Sequence, residues 1–296
     1  MTLEQLRIFI AVAERLHVTQ AAAALNMTQS AASAAIQALE TSVGTPLFHR
    51  VGRHIELTEA GAVLLPEAKA VLQRLAQAGQ ALDDLAGLRR GRLALWASQT
   101  ISGYWLPAHL HRFKAAWPGV EPHLTIANTA EVARAVREGD ADIGFVEGDV
   151  DDPLLARTPV GTDRLLLVVG ATHPWATLSP AALQPAELLQ TGWVLREAGS
   201  GTRQIFEDAL RAYGIDPQQL NVTLELPSNE AVRAAVEAGA GATVISGLVA
   251  SARIATGSLH EVGLPFPERR FVALRHGDRR RSRAETALMD SIRSGG

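Results

Sequence analysis

The sequence predicts an α-helical winged helix-turn-helix domain with a long linker helix, followed by an α/β domain. Three helical segments fall within about the first forty residues and lead into a short hairpin. An apolar seam with spacings of three and four follows them. From Arg92 onward, short apolar strands alternate with amphipathic helices, as in α/β architecture with a largely parallel sheet.

Leu3, Leu6, Phe9, Ile10 and Ala13 recur at helical spacing, and a second short helix runs from Thr19, read as its N-cap, to Leu25. A polar turn at Asn26-Met27 ends it. The third helix starts at Thr28, carries Ala31, Ala32, Ala35, Ile36 and Leu39 as its apolar stripe, and stops at Gly44. Pro46 blocks continuation, and the segments 47–50 and 54–57 flank Gly52-Arg53 as a wing. Thr58 then caps a helix reaching about Leu88, with the seam Leu65, Ala68, Leu72, Leu75, Gly79 and Leu82. So narrow a seam calls for a partner helix, and Pro66 should kink the helix. Strands are expected at 93–97, 123–126, 143–146, 165–169, 193–195, 222–225, 243–246 and 271–274, with a Pro- and Ala-rich loop at 173–187.

The composition, 47% hydrophobic and 20% charged, is that of a soluble globular protein, and no apolar run approaches the ~20 residues of a membrane span. Met1-Thr2-Leu3-Glu4 lacks the basic start and apolar core of a secretory signal, which points to the cytoplasm. The absence of cysteine excludes disulfides, thiolate zinc sites and cysteine nucleophiles. A net charge of -3 argues against coating nucleic acid by bulk charge, but a small reading head on a larger body escapes that test.

Spacing alone allows the segment 19–43 to be a DNA reader or two packed helices. Its exposed side favours the reader: Thr28, Gln29, Ser30, Ser33 and Gln37 line the start of the third helix, where glutamine and serine can hydrogen-bond base edges. That helix has neither Lys nor Arg, so phosphate contacts fall to His49, Arg50, Arg53 and His54 of the wing.

The run LEQLRIFIAVAERLHVTQAAAALNMTQSAASAAIQALETSVGTPLFHRVGRHIELTEAG, Leu3 to Gly61, resembles the N-terminal signature of LysR-type transcriptional regulators along its whole length. The turn, PLFHR and LTEAG all fall at the family's spacing. One departure is Ala34, where many members carry a basic residue. The remainder resembles the family's effector domain, and SQTISGYWLP, FVEG and REAGSGTR are similar to the subgroup regulating sulfur assimilation and carbon fixation. The resemblance implies a type II periplasmic-binding-protein-like effector domain of two subdomains, a dimerising linker, and dimers joined into a tetramer. It implies DNA at 1–58, linker at 59–88 and sensor at 92–296, with subdomain I about 92–162 and 266–296 and subdomain II about 163–265.

Ser98-Gln99-Thr100 and Ser200-Gly201-Thr202 are hydroxyl-rich strand-to-helix turns. Each alone reads as an ordinary N-cap. Facing one another across a cleft, they would bind a small anion, such as a sulfur oxyanion, with amides and hydroxyls. Asn128 and Arg196 can contribute, Arg196 being the one nearby full positive charge identified; Glu147 either pairs with Arg196 or meets a positive part of the ligand. The seven arginines of 269–283 read as a solvated face, and His109 and His111 as surface residues. Ser200 lacks a hydrolase elbow, Gly239-Ala240-Gly241 runs opposite to a dinucleotide loop, and no nucleophile, base or metal constellation emerges, so neither enzyme nor cofactor is expected. A solute-binding protein would share the sensor fold but has no use for residues 1–88.

Overall fold

The computed structural model describes residues 1–51, 54–85, 91–177, 183–264, 266 and 268–294. Gly52 and Arg53 of the expected wing tip, the expected helix end at 86–90, residues 178–182 and the side chain of Leu82 lie outside the described residues. The chain divides into two compact units, Met1–Leu85 and Ala86–Gly296.

In the first unit, α1 (Leu3–Arg15) opens with a reciprocal capping box between Thr2 and Gln5. Helix α2 (Val18–Ala24) is capped by His17 rather than Thr19, because His17 has extended backbone and its ring nitrogen accepts from the Gln20 amide. Helix α3 (Gln29–Val43) runs from a Thr28 cap to Gly44 in the left-handed region. Phe9, Val12, Ala21, Ala32, Leu39 and Leu47 form its dry core. The hairpin β1 (Phe48–Val51) and β2 (His54–Leu57) is tied to α3 by Glu40, whose carboxylate accepts from the amides of Leu47 and Phe48.

Helix α4 (Glu59–Leu85) enters against this hairpin at Gly61, where a Cβ would lie 2.2 Å from the Leu47 carbonyl oxygen. It continues through Pro66, which forgoes one helical hydrogen bond. Its seam does not wait wholly for a partner helix: Leu65, Ala68 and Leu72 pack on the core of their own unit. Among the described side chains of α4, Val63, Val71 and Leu75 are the large apolar ones that stay exposed.

The second unit is built on β3 (Gly91–Ala97), β4 (Val120–Ile126), β5 (Ile143–Glu147), β6 (Leu155–Gly170), β7 (Gly192–Arg196), β8 (Asn221–Leu226), β9 (Ala242–Ser246), β10 (Leu259–Val262) and β11 (Glu268–His276). Their order is β4-β3-β5-β11-β6-β9-β7-β8, with β10 also on β6. The expected largely parallel sheet is instead mixed. Parallel pairs join β3 to β4 and β5, and β7 to β8 and β9; β11 and β6 are antiparallel to their neighbours. Strand β6 joins the lobes, pairing with β11 through residues 155–164 and with β9 and β10 through 165–170, and the direction changes there.

Lobe I packs α5 (Leu106–Ala116), α6 (Thr129–Glu138) and α10 (Arg283–Ser294) around Leu95, Phe113, Phe145, Val136 and Leu288. Lobe II packs α7 (Gly201–Ala212), α8 (Asn229–Glu237) and α9 (Gly247–Ala255) around Trp193, Phe206, Val244, Val232 and Ile245. His109 is buried, contrary to the surface expected, with its ring 4.3 Å from that of Trp105. Among the described residues no helix is long and apolar enough to cross a membrane.

On α10, burial and the nearby Asp142 carboxylate push Glu285 up to about 7 from its ordinary 4.5. The folded chain therefore holds a proton that the unfolded chain releases first, so this contribution is complete below about pH 4.5 and lost as pH rises to about 7. Glu285→Gln should remove that dependence and raise stability at pH 8 by about 3 kcal/mol, read by urea unfolding across pH.

Candidate DNA-reading surface and effector cleft

The start of α3 turns one face to the core and the other outward. Ala32, Ile36 and Leu39 are buried; Gln29, Ser30 and Gln37 are exposed and Ser33 half-exposed. Thr28 is engaged as cap, its Oγ1 accepting from the Ala31 amide and lying 3.1 Å from Ser30 Oγ. Gln29 Nε2 donates to Ser33 Oγ at 3.0 Å, so these two side chains form one polar unit. On β1, Arg50 is exposed, beside the cross-strand His49 and Glu56 contact of 3.6 Å.

In the second unit, parallel strands deliver their turns to one place. Strand β3 leads to Ser98-Gln99-Thr100, β4 to Asn128, β5 ends on Glu147, and β7 leads to the start of α7. At their centre stands a residue read from sequence as solvated. Arg269 of β11 is 3% exposed and faces its cross-strand neighbour Asp163. Its Nε and Nη2 donate to Asp163 Oδ2 at 2.8 and 2.6 Å, Nη1 donates to Thr202 Oγ1 at 2.9 Å, and Nη2 reaches Thr100 Oγ1 at 3.4 Å. The two predicted threonines thus converge on one guanidinium from opposite lobes.

Arg196 does not supply the expected free charge. It grips Glu197 with Nε and Nη2 at 2.7 and 2.8 Å and donates to Asn229 Oδ1 at 2.6 Å. Burial works against the Glu197 charge, but the Arg196 bond and charge, helped by its own amide and Asn128, hold it below the usual range. Asn229 passes the link onward, its Nδ2 donating to Thr100 Oγ1 at 3.0 Å. Gln99 is likewise occupied, accepting from the Asn229 amide and donating to the Pro227 carbonyl. Asn128 caps α6 in a box with Glu131. Glu147 faces Arg269 at 4.0 Å rather than Arg196.

Of the four buried side-chain polar atoms without a hydrogen-bond partner among the described residues, three belong to these turns, Ser98 Oγ, Thr129 Oγ1 and Glu147 Oε1, and the fourth is Arg275 Nε. Helix α7 starts at Ser200 without a side-chain cap, leaving its first turn receptive to an acceptor. Gly201 lets this turn pack on its neighbours, since a Cβ there would lie 2.6 Å from Thr129 Oγ1 and 2.8 Å from the Glu147 carbonyl oxygen. An adjoining cleft of about 740 Å³ is lined by Thr129, Glu147, Ser200, Gly201 and Arg269, with Ile205 on its apolar side. Among the described residues no group of three His, Cys, Asp or Glu could hold a metal ion.

Sequence reasoning missed Arg269, Asp163, Thr129 and Asn229. A usable signal existed for Arg269, which stands two and four residues before Phe271 and Ala273 and so points to the same buried side of β11.

Removing Arg269 leaves the Asp163 carboxylate buried and uncompensated. Arg269→Met should cost roughly 3–5 kcal/mol in urea unfolding, and adding Asp163→Leu should restore most of it. Arg270→Met, at an exposed neighbour, should change stability by no more than about 0.5 kcal/mol.

Comparison with known proteins matches both units. Residues 3–62 fit the bacterial regulatory helix-turn-helix protein of the lysR family, and residues 86–296 the LysR substrate binding domain. The chain is 32% identical over 292 residues to the uncharacterized HTH-type transcriptional regulator YeiE of Escherichia coli (strain K12), covering 98% of this chain and 96% of YeiE. Full-length CbnR complexed with its target DNA superposes with a TM-score of 0.71 at 21% identity, covering 100% of both chains. The CcmR regulatory domain of Synechocystis PCC6803, solved in complex with 2-PG, gives 0.63 at 26% identity over 69% of this chain and 97% of that domain. With both of its units matched and a relative alike along almost the whole length, the chain belongs to the LysR family of transcriptional regulators.

Proposed function

We propose that this LysR-type regulator reads DNA through Gln29, Ser30, Ser33 and Gln37, with Thr28 setting the start of the reading helix. The observation that carries this is the exposed, uncharged polar face of α3 over a fully packed apolar one. Such a face suits base edges, and the alanines 31, 34 and 38, all exposed, leave room for close approach. Arg50 and Arg53 hold phosphate, giving affinity without sequence preference. Division at 1–58, 59–88 and 92–296 follows from this reading. The exposed Val63, Val71 and Leu75 of α4 support pairing of two linkers, and the tetramer would add contacts between sensor domains. The protein then works in the cytoplasm and catalyses no reaction.

For the sensor, we infer that an acidic group of a small effector lies at the first turn of α7. Uncapped amides and the macrodipole favour negative charge there, and Ser98, Thr129, Ser200 and Thr202 offer hydroxyls. CcmR, with 2-PG in its regulatory domain, supports a small-molecule reading of this fold. Gln99, Asn128 and Arg196 serve as supports that hold the turns in register.

The test of DNA reading is fluorescence anisotropy on the gene's own upstream DNA and on a random duplex. Gln29→Ala should cost roughly 1–3 kcal/mol on the upstream DNA alone, whereas Arg50→Ala should weaken both and lower the salt slope by about one. Equal losses on both duplexes for Gln29→Ala overturn the base-reading assignment.

A further inference from the structure

We propose that the effector is an α-amino acid, bound by its ammonium group as well as its carboxylate. This rests on the reading that the cleft takes an acidic group at the start of α7, and it adds a second pole. The charge at the cleft floor does not suit an anion alone. Arg269 stands between two buried carboxylates, Asp163 at 2.6 Å and Glu147 at 4.0 Å, so one cation answers two anions. Asp163 takes the close, double hydrogen bond.

Glu147 is left with Oε1 buried and without a hydrogen-bond partner, 4.0 Å from Arg269 Nη2, on a side chain 2% exposed in a residue that lines the cleft. An ionised carboxylate oxygen can only accept, so the missing partner must be a donor, and an N–H bearing positive charge fits best. Further out, Asp149 and Glu268 also line the cleft and are exposed, with no ion-pair partner among the described residues. Asp208 is already held by Arg211 at 2.7 Å, and Arg270 lines the same cleft. This side of the cleft therefore attracts a cation, while the α7 start, where Gly201 packs on the Glu147 main chain, attracts an anion.

A molecule that satisfies both must carry opposite charges a few bonds apart, as an α-amino acid does. Its side chain then has an apolar wall to lie against, made by Ala130, Ala133, Ile205 and Ala209. The volume of about 740 Å³ also exceeds what a tetrahedral oxyanion fills.

The experiment is thermal-shift screening followed by isothermal titration of the full chain with three sets of probes. These are the protein amino acids, their 2-hydroxy acid counterparts, and sulfite, sulfate and phosphate. At least one amino acid should bind, and its 2-hydroxy acid, which keeps the carboxylate but lacks the ammonium, should bind about tenfold or more weakly. Glu147→Gln should weaken the amino acid by about the same factor and leave the 2-hydroxy acid unaffected. Asp149→Asn with Glu268→Gln, both on the surface, should weaken it severalfold at low salt even if Glu147→Gln fails to fold. Equal or tighter binding of a 2-hydroxy acid or an oxyanion overturns the amino acid and leaves the acidic-group reading standing. Binding of the primary amines derived from the same amino acids, at full strength without a carboxylate, overturns that reading as well. No binding by any probe at millimolar concentration, or unchanged affinity in both variants, overturns the proposal.

Discussion

The Arg269–Asp163 pair is the contact on which the sensor unit depends. Both groups are buried between β11 and β6, and β6 runs on into lobe II. Burying two charges is expensive, and their attraction offsets the cost only with close geometry and with the remaining donors satisfied. Thr202 from lobe II and Thr100 from lobe I meet that demand, so the requirement that stabilises the pair also fixes the two lobes' turns around it. Thr100 is held again by Asn229, which is held by Arg196, which is held by Glu197. The cleft thus takes its shape from a polar chain that the fold needs in any case.

The reading head is built on the opposite principle. Its core is dry and aliphatic, with Phe9 against Phe48 as an aromatic contact, and its polar groups lie at helix ends and on the outer face of α3. Glu40 shows how a carboxylate helps in such a setting: it binds two amides at the start of β1 and so sets the wing against the reading helix. Helix α4 contributes to the same core through Ala68 and Leu72, and its salt bridge from Lys69 to Glu14 joins it to α1.

Much of this was legible in the residues, for identifiable reasons. Thr28 and Gly44 bound α3 because capping chemistry is local. The short apolar strands stood out because their cores are continuous runs, as in Ile143 to Val146. The first half of β6 did not, since Arg157, Thr158, Pro159 and Thr162 give it no apolar run, and the bulge beside Pro159 breaks its register. Strand β10, four residues with two of them polar, was equally silent. Thr100, Thr202 and Glu147 were chosen from turn position, and they do come together. Arg196 stands out in the sequence for its charge, but the structure pairs that charge with its neighbour Glu197. Arg269 was hidden among surface arginines, and the pairing that buries it spans more than a hundred residues of chain, a separation that sequence pattern does not reveal.

The most direct test of this account is the NMR signal of the Arg269 side-chain Nε–H, assigned by its absence in Arg269→Lys. Held on Asp163 and shielded from water, it should exchange slowly with solvent, far more slowly than the same proton of exposed Arg270. An Arg269 signal that exchanges as fast as that of Arg270 would show the guanidinium open to water, and the polar chain that shapes the cleft would lose its anchor.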